Sequence, residues 1–154
     1  MKTDQGTLTV SPDRAKTPCT TNGFLSLARQ RPFDGTGCHR LTTVGIYVLQ
    51  CGDPCGTGAG GPGYSLPDEN LCLDRTRPMF YPAGTIAMAN AGPGTNGRQF
   101  FIVYRDSALA GAYTIFGKVT AGLDAVRHVP AAGSDPVRDG RPKKPVTVTA
   151  VSVA

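Results

Sequence analysis

The stretch GTIAMANAGPGTNGRQFFIVY, residues 84–104, decides how this chain folds. It contains two short apolar runs, residues 85–89 and 100–104, and each run predicts a strand. The segment between them, residues 90–97, holds glycines, a proline and an Asn-Gly pair, whose backbone preferences fit neither a helix nor a regular strand. The pattern therefore predicts a strand, a rigid loop and a second strand, and alone it is typical of a hairpin in a protein core.

The residue sequence of the same stretch also indicates a family. MANAGPGTNGRQFFIVY, residues 88–104, resembles the signature of the cyclophilins, which are peptidyl-prolyl cis-trans isomerases. Three other segments resemble the same family, in the expected order: FDGTGCHRLTTVGIYVLQCGDP (33–54), the Gly-rich GTGAGGPGY (56–64) and, more loosely, YTIFGKVTAGLDAV (113–126). The resemblance extends over residues 6–153, and the cysteine pattern and the CHRLTT wording are most similar to actinobacterial, and hence bacterial, members.

Length and composition limit the architecture. A chain of 154 residues predicts one domain, residues 1–154, able to bury about two-thirds of its unfolded surface. Its 20 glycines and 13 prolines indicate many turns, as in a mainly β fold. No apolar run reaches the ~20 residues that span a bilayer, and we find no signal peptide. We expect no membrane insertion and a cytoplasmic protein, although an extracytoplasmic domain separated from an upstream anchor would have the same sequence.

The formal net charge of +5 does not by itself indicate nucleic acid. The basic residues near the C-terminus, Arg138, Arg141, Lys143 and Lys144, lie among prolines and glycines and predict a solvated loop. No aromatic residues alternate with them, as a surface that stacks single-stranded bases requires. We therefore expect no nucleic-acid partner.

Five cysteines leave at least one thiol unpaired in a monomer: Cys19, Cys38, Cys51, Cys55 and Cys72. Cys51 and Cys55 could supply half of a metal site, but no second pair with the spacing of a tetrahedral site follows. The sequence therefore predicts free thiols and no metal. One disulfide remains possible if the chain works outside the cytoplasm.

Local patterns place the other elements. We expect strands over residues 6–10, 38–41, 46–50, 113–119 and 145–153. Thr17-Pro18 predicts the start of a helix that ends before Arg31-Pro32, and a short second helix is expected near residues 121–129. Residues 65–83 are expected to be irregular, and residues 106–112 to form a loop.

The Gly-rich run after Asp53 could be mistaken for a nucleotide-binding loop. It lacks the Gly-Lys-Ser/Thr ending of a P-loop, and Pro62-Gly63 prevents a helix from starting there. The resemblance instead implies that this loop borders a substrate groove. For the whole chain it implies a closed eight-stranded antiparallel β-barrel with a helix over each open end and an active groove on the outer surface. Closure removes sheet edges, which suits a small domain.

The implied reaction needs no bond cleavage. Rotation about a peptidyl-prolyl bond meets a barrier of ~18–20 kcal/mol set by amide resonance. A site that lowers this barrier needs an apolar pocket for the proline ring, donors that hold the peptide, and a cation that favours the twisted amide. It needs neither a metal nor an organic cofactor.

The resemblance assigns these roles to particular residues. Arg40 matches the family's catalytic arginine, whose planar set of donors can hold the prolyl carbonyl and approach the nitrogen. From the pattern alone, an arginine among strand residues would be a surface ion pair. The positions matched to substrate contacts comprise a proline pocket of Tyr47, Val48, Phe101 and Leu109, the orienting amides Gln50 and Gln99, main-chain contacts at Ala89 and Asn90, and the rim residue Tyr113.

Several positions depart from the familiar pattern. Tyr47 occupies the position of a phenylalanine in the pocket wall, and Val48 that of a methionine. Tyr113 occupies the position of a rim histidine found in many eukaryotic members. Ala108 lies where cyclosporin-sensitive members carry tryptophan, and the chain has none. We therefore expect at most weak cyclosporin binding.

Two classes of function compete at this stage. The chain is either an isomerase that assists protein folding or a non-catalytic module that binds proline-containing segments; a phosphate- or nucleic-acid-binding barrel is a distant third. Arg40 together with Gln50, Gln99 and Phe101 favours the enzyme, because a pure binder has no need of the cation. The expected partners are proline-containing peptides and unfolded protein clients, and we expect a monomer.

Overall fold

The computed structural model describes residues 1–153 and is mainly β. Its strands are β1 (Lys2–Thr3), β2 (Gly6–Thr7), β3 (Thr9–Pro12), β4 (Thr36–Gly37), β5 (Arg40–Thr42), β6 (Val48–Cys51), β7 (Pro78–Tyr81), β8 (Thr85–Met88), β9 (Phe100–Val103), β10 (Ser107–Ala110), β11 (Ile115–Ala121), β12 (Ser134–Asp135), β13 (Asp139–Pro142) and β14 (Thr147–Ala150). Two helices, α1 (Pro18–Gln30) and α2 (Asp124–Arg127), and a 3₁₀ turn over Val129–Ala132 complete the chain. No helix in the described part of the chain is both long and apolar enough to cross a membrane.

The strands form a barrel in which two strands bend from one sheet into another. The larger sheet has the order β12-β13-β5-β6-β9-β8-β11-β3, and a second sheet has the order β2-β1-β14-β4. The chain passes from β2 to β3 at the buried Leu8, and from β4 to β5 at Cys38 and His39. These two bends join both edges of the smaller sheet to the larger one, so the ring runs β2/β3, β1, β14, β4/β5, β6, β9, β8, β11. The mainly β, barrel-like fold is confirmed, but closure occurs through bent strands and not through one continuous hydrogen-bond ladder.

The alternation of side chains separates the barrel interior from its outer face. Strands β8 and β9 pair antiparallel, as their apolar runs predict. Their even-numbered residues, together with Leu41 and Leu49, point into the main core, where Phe24 of α1 packs against Phe33, Phe100 and Phe116. Because side chains alternate along a strand, the odd-numbered residues of β9 face outward.

Helix α1 begins and ends where the sequence predicts, but its cap differs. Thr17 is the N-cap residue, yet its hydroxyl donates to the backbone oxygen of Asp13 at 2.9 Å. The free N–H groups of Cys19 and Thr20 instead donate to the Glu69 carboxylate, at 3.1 and 2.7 Å. The helix is therefore capped by a residue distant in sequence, which a local pattern cannot show.

Four local predictions need correction. The expected loop 106–112 contains β10, which pairs with β7 inside the expected irregular stretch 65–83. The second helix is shorter than expected, since α2 ends at Arg127 and a 3₁₀ turn follows. The basic segment carries β13, although Arg138, Arg141, Lys143 and Lys144 are exposed as predicted. Strands such as β7 and β10, of four residues with glycine or proline nearby, gain their stability from pairing and not from local propensity.

The structure joins Cys38 and Cys51 by a disulfide, so free thiols are the wrong prediction for these two residues. The bond links the bend between β4 and β5 to the end of β6, with 13 residues of sequence separation. Cys19, Cys55 and Cys72 are free. The sequence could not choose this pair, because the choice depends on two strands meeting side by side.

Candidate active site

The predicted site residues meet on the outer face of the larger sheet. Arg40 lies opposite Gln50 in the β5–β6 register, and Gln50 lies opposite Phe101 in the β6–β9 register. Residues directly opposite one another in an antiparallel pair share a face, so these three side chains form a row across three strands. Val48 and Gln99 lie two residues from members of the row and therefore share its face.

Arg40 is held by a carboxylate that the sequence analysis did not single out. Its Nε donates to Asp139 Oδ1 and its Nη2 to Asp139 Oδ2, both at 2.7 Å. Its Nη1 donates to Gln50 Oε1 over a longer 3.4 Å. The hydrogen-bonded Asp139 carboxylate raises the pKa of Arg40 above its ordinary value, and the hydrogen bonds from Arg40 lower the pKa of Asp139. The guanidinium is thus a fixed cation with further N–H groups available.

A chain of amides continues from Arg40 across the sheet. Gln50 Nε2 donates to Gln99 Oε1 at 2.9 Å. Gln99 Nε2 in turn donates to the backbone oxygens of Gly58 and Gly60, both at 2.8 Å. Both amide groups are oriented by their partners, since each accepts at one end and donates at the other. The two glutamines therefore connect the cation to the Gly-rich loop.

An apolar cluster lies beside this polar row. Phe101 packs edge-on against Tyr113, with ring centroids 5.3 Å apart. The cluster is formed by the buried residues Val48, Tyr81, Ala87, Phe101, Val103 and Leu109, with Ile46, Met79, Ala89, Tyr113 and Ile115 partly buried against it. Burial raises the pKa of Tyr81 to about 12, and its hydroxyl donates to the Ala110 oxygen. Most of the predicted pocket is thus assembled in one place.

Tyr47 is the exception, and its predicted place in the pocket wall is wrong in this structure. It lies on the other side of the strand, against the main core, with its ring 6.0 Å from Tyr104. The Arg105 guanidinium covers its ring at 3.6 Å. Ile46, which the sequence analysis missed, belongs to the pocket cluster instead. Every second residue of a strand lies on the same face. In the predicted strand 46–50, Ile46 therefore shares the face of Gln50 and Val48, and this alternation would have indicated it as a pocket residue.

Ala89 and Asn90 lie at the edge of the cluster, where the loop begins. The Ala89 N–H donates to the Gln99 oxygen at 3.0 Å, so that donor is already used within the protein. The Asn90 side chain donates to the Ala112 oxygen at 3.0 Å and accepts from the Gly92 N–H. Asn90 therefore ties the loop after β8 to the segment that carries Tyr113.

A cleft of about 720 Å³ runs beside the row. Its lining includes Gln50, Gln99 and Asn90, and its far wall is the Gly-rich loop of residues 58–63. Asp53 holds this loop, since its buried carboxylate accepts the N–H groups of Cys55 and Thr57 at 2.9 and 2.8 Å and also that of Gly58. Burial alone raises the pKa of Asp53, but these donors and the Gly60 N–H outweigh burial and lower it to about 2.

The described residues, 1–153, contain no group of three or more side chains suited to a metal ion. His39 lies near the site, and burial lowers its pKa, so the ring is neutral at pH 7. Both of its ring nitrogens are buried without a hydrogen-bond partner. His39 therefore adds no second cation to the site.

Known proteins resemble this chain over almost its whole length. The family model of cyclophilin type peptidyl-prolyl cis-trans isomerase matches residues 1–153. The probable peptidyl-prolyl cis-trans isomerase B of Mycobacterium tuberculosis is 47% identical over 163 residues, covering 98% of this chain and 52% of the relative. The peptidyl-prolyl cis-trans isomerase B of Streptomyces anulatus is 37% identical, over 99% of this chain and 94% of the relative. The chain thus spans about half the length of the mycobacterial relatives it matches.

A solved structure is similar over the whole fold. The cyclophilin type peptidyl-prolyl cis-trans isomerase of Cryptosporidium parvum, crystallised in the presence of the dipeptide Ala-Pro, matches with a TM-score of 0.77 and 29% identity. The match covers 99% of this chain and 96% of that one. The family model, the bacterial relatives and the fold agree, and this chain belongs to the cyclophilin-type peptidyl-prolyl cis-trans isomerase family.

Proposed function

We propose that this domain is a peptidyl-prolyl cis-trans isomerase that rotates X-Pro bonds and assists the folding of protein clients. The observation that carries the proposal is the position of Arg40, fixed by Asp139 on the same sheet face as the apolar cluster around Phe101. A binding module would need only the apolar cluster. The enzyme needs a cation as well, because the charge distribution of the amide changes in the twisted state.

The proposed catalysis follows from these contacts. The proline ring packs against the apolar cluster, and Gln50 and Gln99 orient the arginine and the peptide backbone. The Arg40 N–H groups that Asp139 does not engage hold the prolyl carbonyl and approach the prolyl nitrogen. A donor at that nitrogen draws its lone pair out of amide resonance, an interaction that exists only during rotation. Arg40 thus stabilises the transition state more than either ground state.

The proposed substrates are peptide segments that present proline in an extended chain. The Cryptosporidium parvum relative was crystallised in the presence of Ala-Pro, which supports a proline-containing ligand for this domain. The cleft beside Gln99 would receive the residues that precede the proline, because Gln50, which contacts Arg40, also lines it. We propose that the domain acts on such segments as a monomer.

The direct test is a protease-coupled cis-to-trans assay on a short Ala-Pro-Phe peptide. We expect the protein to accelerate isomerisation well above the spontaneous rate, which corresponds to tens to hundreds of seconds. Activity should be unchanged after exhaustive dialysis against EDTA, because rotation requires no metal. A rate equal to the spontaneous one, from protein that still binds the peptide, would favour the non-catalytic binding module.

Cyclosporin should inhibit this isomerase weakly. Ala108 is exposed on β10 and offers neither the aromatic face nor the N–H donor of a tryptophan. Losing a hydrogen bond of ~1 kcal/mol and an aromatic contact of ~0.5–1.5 kcal/mol should weaken binding by roughly ten- to a hundredfold.

We expect Ala108→Trp to recover part of that affinity, and Ala110→Trp, at the other exposed position of β10, to recover none. Titration of the isomerase activity with the drug measures both effects. Inhibition of the unmodified protein at nanomolar drug would contradict this expectation.

A further inference from the structure

We infer that Asp139 is a positioning residue for the proposed reaction: it fixes Arg40 in the orientation that presents its remaining donors to the substrate. This inference rests on the proposed isomerase function. It concerns a residue on β13, far in sequence from every motif that indicated the site. The two side chains meet across 99 residues of sequence.

The register of the strands brings the carboxylate to the arginine. Asp139 lies opposite Thr42 in the β13–β5 pair, and Thr42 is two residues from Arg40 on the same strand. Asp139 and Arg40 are therefore diagonal neighbours on one face, at the distance that a long side chain spans. The contact is built into the sheet and does not depend on a loop conformation.

The geometry of the contact leaves the other side of the guanidinium free. Both carboxylate oxygens are used, one on Nε and one on Nη2, so the plane of the guanidinium is set by two bonds. Nη1 is directed to Gln50 and thus toward the polar row. An arginine without such a partner samples many rotamers, and a bidentate contact removes that freedom.

Stability does not explain the pair. The side chains of Arg40 and Asp139 are 41% and 53% exposed, and ion pairs as exposed as these contribute little to folding. The remaining consequence of a bidentate geometry is orientation. Because the proposed catalytic group is the arginine itself, its orientation determines the rate.

The test is steady-state isomerase kinetics on the full chain with variants of Asp139. We expect Asp139→Ala to lower kcat about tenfold with KM little changed, within the ~10² that a 1 Å misplacement can cost. Asp139→Glu should recover part of the rate, because it restores a carboxylate that can contact both nitrogens. Asp124→Ala removes an exposed ion-pair partner of Arg127 on α2 and should leave the rate unchanged.

A double variant separates positioning from a general structural effect. In the Arg40→Ala background, Asp139→Ala should have no further effect on the rate, because its action passes through the arginine. If the two losses multiply, or if Asp139→Ala alone keeps the parental rate, the inference is wrong. Thermal unfolding of each variant checks that the fold is intact.

A second measurement does not depend on activity. In ¹⁵N-labelled protein, the heteronuclear NOE of the Arg40 Nε–H signal should be high in the parent and low in Asp139→Ala, and Asp124→Ala should not change it. If the parent shows no isomerase activity, the proposed function fails, and this signal still reports whether Asp139 orders the arginine. An Arg40 signal equally ordered in both proteins would overturn the inference.

Discussion

Replacing Arg40 with alanine should lower kcat of the isomerase by roughly 10²–10³, the usual cost of losing one preorganised donor that acts in the transition state. The expectation follows from where the side chain lies. Its guanidinium is fixed by Asp139 beside the apolar cluster, and it can contact the peptide only from that face. Arg40→Lys should restore little, because a lysine ammonium cannot reproduce the planar set of donors.

Binding should respond differently from turnover. In the proposed mechanism the apolar cluster grips the proline ring in both ground states, so Arg40→Ala should leave peptide affinity measurable by NMR titration. Phe101→Ala should weaken both binding and rate, because Phe101 is at the centre of the cluster and packs against Tyr113.

Arg29→Ala is a control outside the sheet that carries the site. This arginine is exposed in the last turn of α1. We expect it to retain most of the activity. Parental turnover by Arg40→Ala would show that another group supplies the catalytic donor.

The sequence predicts most of the sheet face that carries the site, for a simple reason. The resemblance matched Arg40, Gln50, Val48, Gln99 and Phe101 to site positions, and the strand registers of the structure place them on one face. The family resemblance also implied a closed barrel with the active groove on its outer surface. It thus predicted that the proline pocket and the two orienting amides would lie together.

The prediction for Tyr47 failed where resemblance and alternation disagree. The resemblance matched Tyr47 to the position of a phenylalanine in the pocket wall, whereas the alternation from Gln50 through Val48 reaches Ile46. In the structure, Ile46 packs against the apolar cluster, and Tyr47 packs with Tyr104 and Arg105 on the opposite side. Both residues lie just before β6, and each still packs on the side that alternation along β6 predicts.

Other features depend on contacts that no local pattern encodes. Asp139 meets Arg40, and Glu69 caps α1, because distant strands and loops come together in the barrel. Arg98, next to the predicted Gln99, turns inward and donates to the oxygens of Gly52 and Pro32. Its role is to hold the chain around the site, which the sequence could not distinguish from substrate binding.

Replacing Asp53 with asparagine should destabilise the protein by about 2 kcal/mol at pH 7. The folded pKa of about 2 lies below the usual value of 3.8 for an aspartate, and each unit of difference corresponds to about 1.4 kcal/mol. The charged carboxylate accepts several N–H groups of the Gly-rich loop. An asparagine has one carbonyl oxygen in place of two carboxylate oxygens, so part of this loop would lose its acceptors.

The destabilisation caused by Asp53→Asn should be lost in acid. This direction follows because folding lowers the pKa of Asp53. Because the folded pKa is lowered, the stabilisation is present above about pH 4 and is lost as the pH falls toward about 2. Other carboxylates titrate in the same range, so the informative quantity is the difference between the parent and Asp53→Asn. Urea unfolding at pH 7, 4 and 2.5 measures that difference. Asp124→Asn, at an exposed position, should differ from the parent by less than about 0.5 kcal/mol at every pH.

Asp53→Asn should also affect the site, because the loop that Asp53 holds contacts Gln99. Gln99 donates to the oxygens of Gly58 and Gly60, so a loop released from Asp53 would no longer orient this glutamine. We therefore expect Asp53→Asn to lower kcat/KM at temperatures where the variant is still folded. Gly60→Ala should have the same consequence by another route, because a Cβ at this residue would collide with the Asp53 carboxylate.

A stability difference between the parent and Asp53→Asn that stays constant from pH 7 to pH 2.5 would contradict the proposed charge-dependent hold on the loop.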